Sequence, residues 1–313
     1  MGSSWRKEDA SFKFRLGEFN LFKLRLKALT LDQHFSNMPA GIYETPPGPG
    51  ETGRGARVVL IRSCPVDKEL PVFSFRSGHI RYVPSRYRRY YIEMSCPFEE
   101  YLKKFSSRSR STLLRKVRRF SDYCDGKAEC REYKDPAEVD EFYNYARLIS
   151  EKTYQDRLLG CGFPAGKDIG EELTRLAKQD AIRGFVLFHK ANPVAYLYAP
   201  VEDNILYYRF VGYDPGYREH SPGTVLQYLA LQKLFSEKRF RMFDFTEGEG
   251  RHKEFFSTNI QRCADVYFFK FGFGNAAIVL THAFFDRLSR SIVRVLDVFK
   301  VKSRVKKFLR SRA

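Results

Sequence analysis

Residues 213–235 read YDPGYREHSPGTVLQYLALQKLF. The stretch predicts a turn that opens a helix. Ser221 is a natural N-cap, and Pro222 fits the first helical position, where the missing N–H costs nothing. Gly223 lets another group approach the helix backbone closely. Val225, Leu226, Leu229 and Leu234 recur at helical spacing and supply an apolar stripe. Arg218 and His220 come just before. A helix start with free N–H groups, a positive dipole end and basic neighbours is a phosphate site by its chemistry. The same residues also make an ordinary capping device.

Upstream of this stretch, GFVLFHK (184–190), VAYLYAP (194–200) and ILYYRFVGY (205–213) read as strands, preceded by helices over 136–155 and 168–179. Downstream, FRMFDFTEG (240–248) is a strand that ends in a turn, and VYFFKF (266–271) is a last strand. The order is α-α-β-β-β-α-β-α-β. The N-terminal part is strand-rich over 12–31 and 56–94, has a Pro/Gly loop over 41–55, and ends in one long basic helix after Cys96-Pro97. Together they predict a mixed α/β fold.

The 313 residues are enough for two domains or one large one. Lys and Arg number 55 against 37 Asp and Glu, a formal net charge of +18. Such an imbalance points to an anionic partner and says nothing of fold. Six scattered cysteines without a C-x-x-C pair predict reduced thiols in a cytoplasmic setting and no zinc site. The N-terminus has no apolar signal-peptide core, and no apolar run approaches the roughly 20 residues of a membrane span.

The second telling stretch is FDFTEGEGRHKEFF, 243–256. Strand alternation puts Phe243 and Phe245 on one face and Asp244 and Thr246 on the other. Asp244, near a strand end, and Glu247 are the candidate proton carriers of this turn. Repulsion between Glu247 and Glu249 is a means of raising one carboxyl pKa. Lys253 is placed to neutralise a carboxylate or bind an acceptor phosphate. The bland alternative is that Asp244 caps the turn and Lys253 pairs with it.

Three pieces carry a family resemblance: KTYQ at Lys152–Gln155, SPG at Ser221–Gly223, and DFTEGEGRHKEFF at Asp244–Phe256. With the basic helix at 105–119, they make residues 95–275 resemble the GNAT acyltransferase superfamily, and more narrowly the CelD-type acetyltransferases associated with cellulose and exopolysaccharide synthesis. The resemblance implies a GNAT-like mixed sheet with flanking helices in two halves, 1–125 and 126–285, followed by a basic tail over 286–313. It implies acetyl-CoA or another acyl-CoA as donor, held by Arg218, His220, Ser221, Pro222, Gly223 and Thr224, and no metal. It places Lys152, Tyr154, Gln155, Tyr208, Arg209 and Lys253 near an amine acceptor on a surface-glycan or lipid precursor. The superfamily loop R/Q-x-x-G-x-G/A is altered here: Ser221 stands for the first glycine, and Pro222 removes one N–H donor. The donor therefore stays open between acyl-CoA and the aminoacyl-tRNA of Fem-type transferases, which share the general fold.

Basic residues cluster in RYVPSRYRRYY (81–91), KKFSSRSRSTLLRKVRR (103–119) and the tail from Arg287 to Arg312, which holds ten basic residues and one acid. In the tail, Leu288, Ile292, Val295, Leu296 and Phe299 recur at helical spacing. That is the pattern of a basic amphipathic helix on the inner, anionic face of a membrane, or of a solvated terminal helix. A non-catalytic module that binds membrane or nucleic acid is the reading from a different class.

Overall fold

The computed structural model describes residues 5–16, 19–31, 33–48, 57–153 and 162–298. The fold is mixed α/β, as the sequence predicts, and the chain divides into two compact units. Tyr154, Gln155, the tail beyond residue 298 and the Pro/Gly loop from residue 49 lie outside the described residues.

The first unit comprises residues up to 88 and those from 261 on. Strands β1 (Trp5–Leu16) and β2 (Phe19–Leu31) form an antiparallel hairpin, and β2 runs parallel to β3 (Val58–Pro65). The antiparallel neighbour of β3 is β12 (Asn259–Lys270). β4 (Phe73–Arg76) pairs with the long β5 (His79–Glu93). The core alternates along these strands: Phe12 and Phe14 of β1, Val58 and Leu60 of β3 and Phe269 of β12 are buried on one side. The Arg/Tyr-rich stretch is part of this framework. Arg81 is buried and donates to the Tyr43 carbonyl at 3.1 Å, and Arg86 donates to the Leu70 carbonyl at 2.6 Å.

The second unit spans residues 89–260. The expected long basic helix is two: α1 (Phe98–Leu102) and α2 (Ser107–Tyr123), with Ser106 capping the second by accepting from the Ser109 N–H. The break falls at the Ser-rich junction, where a side-chain cap competes with helix continuation. Helices α3 (Val139–Glu151) and α4 (Lys167–Lys178) follow a short strand, β6 (Glu129–Tyr133), that the pattern of the sequence did not reveal. Three antiparallel ladders then join β6 to β7 (Ile182–His189), β7 to β8 (Asn192–Glu202), and β8 to the expected third strand.

That third strand is interrupted. β9 (Ile205–Tyr207) pairs with β8 on one edge and runs parallel to β11 (Met242–Asp244) on the other. β10 (Phe210–Tyr213) pairs with β8 alone. Between them lie Tyr208 and Arg209. The Tyr208 N–H still reaches the Asp244 carbonyl at 2.8 Å, whereas the Arg209 N–H turns to the Tyr198 carbonyl at 3.1 Å. Beyond this point β10 and the chain following β11 diverge and open a fork. Arg209 is exposed at the break. Helix α5 (Pro222–Ser236) packs below the fork through Val225, Leu226, Ala230 and Leu234, all buried. A six-residue helix, α6 (Arg251–Phe256), follows β11.

Candidate acyl-transfer site

A cavity of about 530 Å³ lies at the fork. One wall is β10, through Val211, Gly212 and Tyr213; the rim is Arg218 and the start of α5; the far side is His252 and Phe256 of α6. Tyr208 sits at the branch point, and burial pushes its phenol above its ordinary pKa. Such fork-shaped openings in sheets are where substrates are held, because the diverging strands leave backbone groups and side chains free to meet a ligand.

The predicted donor loop is at this cavity. Arg218, Ser221, Pro222, Gly223 and Thr224 all line it, as does Tyr208. Their geometry corrects one expectation. Ser221 stands at the N-cap position, but its side chain makes no capping bond, and its backbone is left-handed, φ 54° and ψ 45°. That conformation is what glycine adopts without steric cost and serine does not. The substitution of Ser for glycine has therefore kept the glycine's backbone shape. Pro222 has no N–H, and the Thr224 and Val225 N–H groups are turned inward to the Ser221 carbonyl at 3.0 and 3.2 Å. The Gly223 N–H makes no backbone bond, and a Cβ on Gly223 would find only the Tyr213 ring, at 3.7 Å. The approach to the helix start is open.

His220 is the exception in that loop. It stacks on Tyr123 of α2 with ring centroids 3.9 Å apart, and is not part of the lining. Tyr123 carries His189 on its other face at 4.2 Å. His220 thus fixes the loop against α2.

The acidic turn is arranged differently from the catalytic expectation. Asp244 is fully buried and accepts from Arg89 Nε at 2.8 Å and from the Thr246 N–H at 2.8 Å, with Arg89 Nη2 at 2.6 Å. Its oxygens are committed to holding β5, β11 and the turn, and it lies outside the cavity lining. Thr246, β-branched, holds φ 60° and donates through Oγ1 to the Tyr208 carbonyl at 3.3 Å. A β-branched residue in this region is strained, and here it clamps the branch of the fork. Glu247 is exposed, and its carbonyl accepts from Lys253 Nζ at 2.6 Å. Burial lowers the Lys253 ammonium pKa, with the Asp244 charge acting against that shift. Lys152 caps the end of α3 and pairs with Asp214 at 2.9 Å. None of Glu247, Lys253, Lys152 or Arg209 is in the cavity lining.

Among the lining residues left unassigned in the sequence are His252 and Gln227. His252 follows Arg251 in the helix and projects toward the Tyr208 ring, centroids 5.8 Å apart. Desolvation, helped by the Lys253 ammonium, lowers its pKa from the ordinary imidazole value and so favours the neutral ring. Gln227 lies one turn into α5, is 4% exposed, and its Nε2 is buried without a hydrogen-bond partner. A buried amide left unpaired is costly, and a site that binds a polar ligand is where such a group is retained. The signal for His252 was present in RHKEFF: consecutive helical residues point about 100° apart, so Lys253 and His252 cannot serve the same side.

Among the described residues, no group of three His, Cys, Asp or Glu side chains is placed to hold a metal, and no helix is long and apolar enough to cross a membrane.

The cavity thus lies in a forked sheet with a helix start at its rim. Residues 107–254 match the family model described as an acetyltransferase (GNAT) domain. The chain carries a GNAT acetyltransferase domain and is a GNAT-type N-acyltransferase. No curated protein matches it. Solved structures similar to it include FemX, at 11% identity over 73% of this chain and 75% of that one, TM-score 0.48. Another is the C-terminal domain (DUF2156) of a putative lysylphosphatidylglycerol synthetase from Agrobacterium fabrum, at 10% identity over 72% of each chain, TM-score 0.48. A third is a tandem GNAT protein from the clavulanic acid biosynthesis pathway, at 12% identity over 67% of this chain and 63% of that one, TM-score 0.35.

Proposed function

We propose that the protein transfers an acyl group from acyl-CoA to the amine of a surface-glycan or lipid precursor, with His252 as the base. The observation that carries the donor half is the 530 Å³ cavity, rimmed by Arg218 and the open start of α5. An anionic group fits there, through the Gly223 N–H, the helix dipole and the Arg218 guanidinium. The thioester end then runs along β10 toward Tyr208 and His252. The neutral imidazole takes a proton as the amine nitrogen bonds to the acyl carbon, the carbon–sulfur bond breaks, and the imidazolium returns the proton to the departing thiolate to release the thiol. The Gln227 amide supplies a polar contact that the protein leaves unmatched. The acceptor class is supported by the likeness of the KTYQ, SPG and DFTEGEGRHKEFF segments to CelD-type acetyltransferases.

A second reading, aminoacyl transfer from charged tRNA, is favoured by α2. Arg108, Arg115, Arg118 and Arg119 are exposed on it and have no acidic partner within 4 Å among the described residues. Melting of the full chain with acetyl-CoA, longer acyl-CoAs and uncharged tRNA separates the two. A ligand at about 100 times its Kd adds roughly 2.7 kcal/mol to the folded state. A shift with a CoA species supports the first reading; a shift with tRNA alone supports the second.

A further inference from the structure

Helix α7 (Phe273–Val298) packs on β1 of the first unit through Ile278, Val279, His282 and Phe285. Its opposite face is uncovered. Phe273 is 94% exposed, Leu280 62% and Phe284 64%, and Leu288 continues the row. The positions fall at i, i+7, i+11 and i+15, a single stripe of about 22 Å by helical rise. Phe271 and Phe75, both exposed, extend it beyond the helix start, with ring centroids 5.3 Å apart. A soluble surface rarely leaves so many large apolar side chains in one row.

The charges around the row say what covers it. Arg57, Arg76 and Lys270 are exposed at the N-terminal end of α7, and Arg287 lies beside the stripe further along. None has an acidic partner within 4 Å among the described residues, and the first turn of α7 holds no acid. Arg57 sits against that turn, bonded to Asn275 at 2.6 Å. Cations at the positive end of a helix oppose folding. They are matched only when an anionic surface approaches. A second copy of the chain brings the same cations to meet them, at +18 net charge per copy. An anionic lipid headgroup layer over an acyl region satisfies both the row and its border.

We infer that the α7 stripe, with Phe75 and Phe271, is a docking face for the surface of an anionic phospholipid bilayer. This goes beyond the acyl-transfer reading and does not depend on it. The test is co-sedimentation of the full chain with vesicles of phosphatidylglycerol or of phosphatidylcholine, at low and raised salt. The expected result is binding to phosphatidylglycerol vesicles, weakened by salt, and reduced about tenfold or more in Leu280→Ser/Phe284→Ser. Phe273→Ser, at an almost fully exposed position, gives a smaller loss with an unchanged melting curve and guards against misfolding of the double variant. Equal binding to both vesicle types overturns the proposal. So does undiminished binding by both variants, which assigns any lipid affinity to other basic segments. A wild-type dimer that the variants convert to monomer, without vesicle binding, assigns the face to a second copy instead.

Discussion

His252 and Asp244 divide the roles that one acidic turn seemed to hold. His252→Gln is expected to lower kcat by about 10²–10⁴-fold with little change in melting temperature, since the residue lines the cavity and supports no core. The sign of its pH dependence follows from the lowered pKa: only the neutral imidazole accepts a proton, so kcat rises with pH through that lowered pKa and levels above it. A wild-type kcat–pH profile, compared with the variant, checks it. Asp244→Asn leaves the Arg89 guanidinium buried beside a neutral amide. Loss of a buried partner costs about 3–5 kcal/mol, and urea denaturation of the variant measures it. If Asp244→Asn keeps full stability and loses only turnover, the proton role returns to the aspartate. Ser221→Gly relieves a left-handed serine, and an increase in stability of up to about 1 kcal/mol is expected in the melting curve.

At the scale of elements, the break between β9 and β10 makes the site. β10 pairs only through the β8 edge, and its other edge faces the fork. Gly212 keeps that strand in place: a Cβ there would lie 2.5 Å from the Tyr196 ring. Gly212→Ala is expected to cost about 1–3 kcal/mol by overpacking and to weaken donor binding in the same variant. Thermal shift with and without acetyl-CoA reads both. The helices and most strands of this unit were legible in the sequence, because apolar spacing and the SPG cap are local signals. The donor loop was legible for the same reason. The fork was not: ILYYRFVGY is uniformly apolar and reads as one strand, and whether Tyr208 and Arg209 interrupt it depends on β8 and β11. Nor was the commitment of Asp244 legible, since its partner Arg89 is 155 residues away. Arg89 in turn sits in a stretch whose composition resembles an exposed basic surface.

Across the whole molecule, a net charge of +18 repels itself. Most ion pairs among the described residues have at least one exposed member, and the fully exposed ones contribute little each. Added salt should therefore raise the melting temperature, by about 2 °C or more between 20 and 300 mM NaCl, roughly the effect of 1 kcal/mol in a chain of this size. A fall instead would show that the ion pairs outweigh the self-repulsion. Each compact unit has its own buried clusters, yet the chain passes between the units inside strands, at 88/89 within β5 and at 260/261 within β12. A gene cut at either point would sever a strand and leave raw backbone edges ready to pair with a neighbouring molecule. Expressed as separate halves, the protein is expected to aggregate rather than yield two soluble pieces, which size-exclusion chromatography of each half checks.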